Sequence, residues 1–194
     1  MKNINSEFNF EYLNNKKFFP IYRELMKSIY LYNISPDMFC IQFRKILEVI
    51  IKCILEVMKL SDIYKNVSMH DKIKILEMKI PKELVDTINI FQEMHNIRII
   101  GNKYVHSNEY NEKIIKKDAY TVLVAMQKIC TWFVVFEENY TKWQEKKNSK
   151  KESKTSIKTH KVYDFKETLE VNNSEQNNDS FIGKIKEFIS EVFK

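Results

Sequence analysis

An all-α fold is the architecture this sequence predicts, and three observations point to it. The 194-residue chain has only two glycines, Gly101 and Gly183, and three prolines, too few turn formers for a sandwich or barrel. Apolar residues recur at helical spacing along most of its length. Hydrophobic residues make up 44% and charged residues 30%, enough apolar material for a core. The length suits one compact domain with an appendage. Two isolated glycines also exclude a phosphate-cradling P-loop and a dinucleotide fingerprint, both of which need several within a few residues.

Pro20 to Tyr32 has helical spacing and ends before Asn33 to Pro36. Ser35 as N-cap, with Pro36 in the first helical position, opens a long helix predicted to reach about Leu60. That helix is apolar nearly all round, as a central strut should be. Its polar exceptions, Arg44, Glu48, Lys52 and Glu56, recur every four residues and form a single stripe, either a wet edge or a seam lining a site. Ser61 to Ser68 is a loop, and Ser68 or Asp71 caps a short helix to about Lys79. Pro81 is predicted to start the next helix, which runs into Gly101-Asn102. After a polar turn at Ser107 to Asn111, a helix from about Lys117 to Lys146 carries Val122, Leu123, Met126, Ile129, Cys130, Phe133, Phe136 and Tyr140 on one face.

The organisation read from this pattern is a bundle over 1–146, a polar lysine-rich linker over 147–179, and an amphipathic helix over 180–194. In the last segment Phe181, Ile185, Phe188, Ile189 and Val192 share a side, which suits docking or oligomerisation. The net charge is +6, and Lys142 to Lys161 holds eight lysines against two glutamates, which accounts for all of it. Lys146, Lys147, Lys150, Lys151 and Lys154 therefore read either as a solvated linker or as a tether to RNA or DNA through counterion release. From Glu145 to Lys161 the run holds no Phe, Trp or Tyr for base stacking.

Cys40, Cys53 and Cys130 all fall in apolar helical runs without a CxxC pair, the pattern of reduced core thiols in a cytoplasmic protein. No metal or cofactor is expected: His70 at a helix start and His160 in the linker lack ligands at useful spacing. Trp132 and Trp143 read as core. The N-terminus has no apolar stretch of signal-peptide kind, and runs such as Trp132 to Phe136 are far shorter than a bilayer span.

One stretch is chemically suggestive. From His95 to His106, polar groups gather within an otherwise apolar helix. At 100° per residue Arg98, Asn102 and His106 are successive neighbours, and His95 falls within the same arc of about 80°. Arg98 and His106 are nonetheless about 12 Å apart along an unbroken helix. To grip one phosphate they need a break at Gly101 or a second chain.

The pattern Arg-x-x-Gly-Asn-x-x-x-His, Arg98 to His106, follows a long helix carrying Arg44-Lys45-Ile46-Leu47-Glu48. Together they resemble the HEPN superfamily of helical domains, and within it family 4145 of the domain-of-unknown-function series, found in bacterial proteins linked to restriction and phage defence. The resemblance covers roughly Pro20 to Tyr140. It implies a HEPN-like bundle of about five helices, commonly paired into dimers, and a module that dimerises or docks on a nucleic-acid-processing partner. It also implies, as the alternative, a metal-independent endoribonuclease in which Arg98 clamps phosphate, His106 is the acid–base and Asn102 supports them. Those residue types suit that chemistry. Seven residues separate Arg98 from His106, more than is usual in nuclease members, and Ile99 follows the arginine where those members favour a polar residue. The competing structural reading makes Arg98, Asn102 and His106 a polar latch onto Arg44 and Glu48, with His95 in support and Gly101 present because two helices cross closely there.

Overall fold

The computed structural model describes residues 8–85, 89–106 and 111–155, with side chains through residue 149. The described residues form an all-α bundle and contain no strand. A 3-10 turn at Glu11–Leu13 leads into α1 (Phe19–Ile29), a single-turn α2 (Leu31–Ile34), α3 (Pro36–Val57) and α4 (Met69–Lys79). A second 3-10 turn at Lys82–Leu84 precedes α5 (Ile90–His106) and α6 (Glu112–Thr155). Helices α3, α5 and α6 pack mutually as the centre of the bundle; α1 covers α3, and α4 lies against α5.

The central strut is α3. Phe39, Cys40, Phe43, Ile46, Leu47, Val49, Ile50, Ile51, Cys53, Ile54 and Leu55 are all buried along it, as the nearly all-round apolar pattern requires. Its stripe of Arg44, Glu48, Lys52 and Glu56 is half-buried, a seam between neighbours rather than an open face. The helix stops at Val57, earlier than the pattern suggests. Lys59 turns left-handed at φ 58°, so the Leu60 amide reaches the Leu55 carbonyl at 2.8 Å and the Lys59 amide the Glu56 carbonyl at 2.9 Å. That pair of bonds is a Schellman closure made without glycine.

Caps decide the other boundaries. The Ser68 hydroxyl accepts from the Asp71 amide and donates to its carboxylate, as expected for the start of α4. Ser35 occupies the N-cap position of α3, yet its hydroxyl donates to the Asp37 carboxylate at 2.6 Å and caps no backbone amide. Pro81 opens only the 3-10 turn, which ends in extended backbone at Val85. The true start of α5 is set by Asn89, whose side-chain oxygen accepts from the Gln92 amide at 3.1 Å. Likewise Asn111 accepts from the Lys113 amide at 3.1 Å and begins α6 five residues before Lys117.

The inward face of α6 is the one read from the sequence: Val122, Leu123, Met126, Ile129, Cys130, Phe133, Phe136 and Tyr140 are buried. By length and composition this helix is apolar enough to cross a bilayer, but 56% of the qualifying stretch is buried inside the bundle, as in the core helix of a soluble protein. Trp132 is core too, and its indole donates to the Leu84 carbonyl at 2.9 Å, which pins the 3-10 turn onto α6. The helix also continues nine residues beyond Lys146, into the segment read as linker. Lys142 pairs with Glu138 one turn back, and Lys147 lies over the Trp143 ring at 4.8 Å. Straight-chain Lys, Gln and Glu then carry the helix on their own propensity. The remainder of the linker and the segment 180–194, with Phe181, Ile185, Phe188, Ile189 and Val192, lie outside the described residues.

Candidate functional site

Helix α5 carries the suggestive stretch, and its two sides are sharply different. Ile90, Phe91, Met94, Ile97, Gly101 and Tyr104 are buried, the i, i+3, i+4, i+7 spacing of an inward face. His95, Arg98 and Asn102 are half-buried along its flank, while Ile99, Lys103, Val105 and His106 are exposed. The helix passes through Gly101 without a break. Arg98 and His106 therefore stay about two turns, or 12 Å, apart along one axis. Of the two routes that would bring them to one phosphate, a second chain is the one this geometry leaves.

Gly101 is where α5 meets α3. A Cβ built there would sit 2.5 Å from the Arg44 Cβ and 2.9 Å from its Cδ, so the aliphatic stem of Arg44 lies across the glycine. The helices do cross closely at this point, and the contact is steric. Among the described residues no hydrogen bond or ion pair joins Arg98, Asn102 or His106 to Arg44 or Glu48. The Nε atoms of both Arg44 and Arg98 are buried and unpartnered.

His95 has a neighbour that the sequence does not announce. The His70 ring, in the first turn of α4, lies 5.2 Å from the His95 ring at 51°, and the Nδ1 atom of each is buried without a partner. Burial holds the His95 pKa below its ordinary value, and the charges of Arg98, His70 and Lys74 add to that while Glu77 opposes it. The Ser68 cap marks His70 as a first-turn residue, but no local signal says that this turn lies along α5. Among the described residues no three His, Cys, Asp or Glu side chains come together as a metal-ligand set.

Elsewhere the buried polar groups tie helices together or pack in the core. The Tyr104 hydroxyl donates to Asp118 at 2.6 Å and Lys103 to the same oxygen at 2.7 Å, which ties α5 to α6. Burial and the Asp118 carboxylate raise the phenol pKa. Cys40, Cys53 and Cys130 are buried thiols. Burial pushes Cys40 up to about 12 and raises the other two as well, so none presents a thiolate near neutrality. Lys146 and Lys147 are exposed on the tail of α6, and Lys150, Lys151 and Lys154 follow on the same helix.

These features define a helical-bundle domain whose polar groups gather where α5 crosses α3 and α4. Residues 27–158 match the family model described as Domain of unknown function (DUF4145), and the chain belongs to that family. The match runs past Tyr140 and takes in the extension of α6 to Thr155. No curated protein and no solved structure matches the chain.

Proposed function

We propose that this domain is a HEPN-like interaction module of bacterial defence systems, which dimerises or docks on a nucleic-acid-processing partner. The observation that carries this reading is the unbroken course of α5 through Gly101. It holds Arg98 half-buried and His106 exposed two turns away, so a single chain presents no arginine–histidine pair to one phosphate. Exposed Ile99 and Val105 on the same helix supply apolar surface of the kind that a partner covers. The lysines on the tail of α6 would favour an anionic partner such as RNA or DNA.

The second reading, a metal-independent endoribonuclease, draws on the exposure of His106 in the last turn of α5. There the histidine of one copy would take the ribose 2′-OH proton while Arg98 of another holds the phosphate. Attack of the 2′-oxygen on phosphorus would expel the 5′-oxygen and leave a 2′,3′-cyclic end. An RNA cleavage assay in EDTA separates the two, using the intact chain, Arg98→Ala and His106→Ala at matched folding. The module predicts no cleavage by any of the three. Cleavage by the intact chain, lost in both variants and leaving cyclic phosphate ends, would replace the module with the nuclease.

A further inference from the structure

Four of the five buried side-chain polar atoms that lack a hydrogen-bond partner among the described residues belong to basic side chains on three helices: Arg44 Nε on α3, His70 Nδ1 on α4, and His95 Nδ1 and Arg98 Nε on α5. Their placement is connected. His70 and His95 face each other across the α4–α5 contact at 5.2 Å, and Arg98 acts electrostatically on His95. On the far side, Arg44 lies over Gly101. At 100° per residue Arg98 falls about 60° from His95 and about 60° from Gly101 around α5. It therefore points to the seam between the side covered by α4 and the side covered by α3.

An arginine Nε–H is an obligatory donor, and a buried donor without an acceptor carries a desolvation penalty that a bound acceptor removes. The chain's own carboxylates do not fill that role. Glu48 lies one turn from Arg44 on α3, and Glu77 is near enough to affect His95, yet neither forms a hydrogen bond or ion pair among the described residues. A metal cation is disfavoured by the Arg98 guanidinium beside His95 and by the lack of a third ligand among the described residues. The four donors stand on three different helices and so are not held to one plane, and the two coplanar oxygens of a carboxylate meet only part of such a set. A tetrahedral oxyanion with three free oxygens meets it better.

We propose that the α3–α4–α5 seam is a binding site for a phosphate monoester dianion, held by Arg44 and Arg98 with His70 and His95 donating from the α4 side. The site shares Arg98 with the nuclease reading but uses neither His106 nor a second copy, and it adds Arg44, His70 and His95. His106→Ala leaves it intact, so failure of either reading is visible without the other.

The test is a titration of the full chain with inorganic phosphate, followed by NMR of the arginine Nε–H and histidine ring signals. The Arg44 and Arg98 Nε–H signals, identified with Arg44→Lys and Arg98→Lys, should move and saturate, while that of Arg23 on the outside of α1 stays put. The His95 titration midpoint should rise in saturating phosphate, since a nearby dianion favours imidazolium. Arg98→Gln should weaken phosphate binding about tenfold, the loss of one charge-assisted hydrogen bond. Dimethyl phosphate and acetate, which lack the third oxygen or the second charge, should bind more weakly. No saturable movement of the two signals in the intact chain would overturn the site, whatever the variants do. Equal responses to acetate or dimethyl phosphate would overturn the monoester assignment.

Discussion

Gly101 lies directly beneath Arg44: a methyl group added to the glycine would come within 2.5 Å of the arginine Cβ. No rotamer change of Arg44 relieves that approach, because Cβ is fixed to the backbone of α3. The α3–α5 distance is thus set by the absence of one carbon.

Gly101→Ala should therefore destabilise the bundle despite the better helix propensity of alanine. Forcing the helices apart costs about 1–3 kcal/mol, against a gain of about 1 kcal/mol for replacing glycine within a helix. Urea denaturation should show a lowered midpoint, and combining it with Arg44→Gly, which removes the opposing Cβ, should recover part of the loss. A Gly101→Ala chain as stable as the parent would mean that the helices separate freely there.

At the end of α3 the opposite change should help. Lys59 sits at φ 58°, a conformation that costs a side-chain-bearing residue about 1–2 kcal/mol and glycine almost nothing. Lys59→Gly should raise stability by up to about 1 kcal/mol after the extra flexibility of the unfolded chain is counted. Thermal unfolding checks it; a fall in Tm would show that the lysine side chain contributes more than its backbone costs.

Tyr104→Phe should cost about 1.5–3 kcal/mol, the range for a hydrogen bond to a charged acceptor. The phenol is buried and bonds Asp118 at 2.6 Å, and Lys103 alone would then satisfy that carboxylate. Chemical denaturation gives the magnitude. A double-mutant cycle with Asp118→Asn should show that the two losses are not additive.

The burial of His95 gives the bundle a pH dependence of definite sign. His95 protonates less readily in the folded state, through burial and the charges of Arg98, His70 and Lys74 against that of Glu77. The unfolded chain takes up a proton near pH 6.5, before the folded one does. Stability is therefore undiminished above that value and falls as pH drops below it toward the lower folded midpoint. His95→Gln should flatten this part of the stability–pH curve. An unchanged slope would place the acid sensitivity in other groups.

Much of the helical layout is legible in local signals. The apolar spacing of 119–140, the Ser35-Pro36 start and the Ser68 cap lie within a few residues of the backbone that they shape, and the helices form where those signals stand. Misplaced boundaries have equally local causes. Pro81 suits a helix start and a 3-10 turn alike, whereas Asn89 supplies the actual cap of α5. A left-handed Lys59 closes α3 with no glycine to announce it. Lys146 marks a change of charge without a change of helix propensity, so α6 continues through it.

By itself, then, the sequence determined that this protein is all-α, which faces turn inward, and that Arg98, Asn102 and His106 share one side of a helix, because period and capping are properties of a short stretch of backbone. Only the tertiary structure decided that α5 stays unbroken and so keeps Arg98 from His106. It alone placed Arg44 over Gly101 and brought His70, 25 residues away in the chain, against His95. Those relationships depend on how three helices cross. Crossing is settled by the summed packing of many side chains distant in sequence, and no single motif records it.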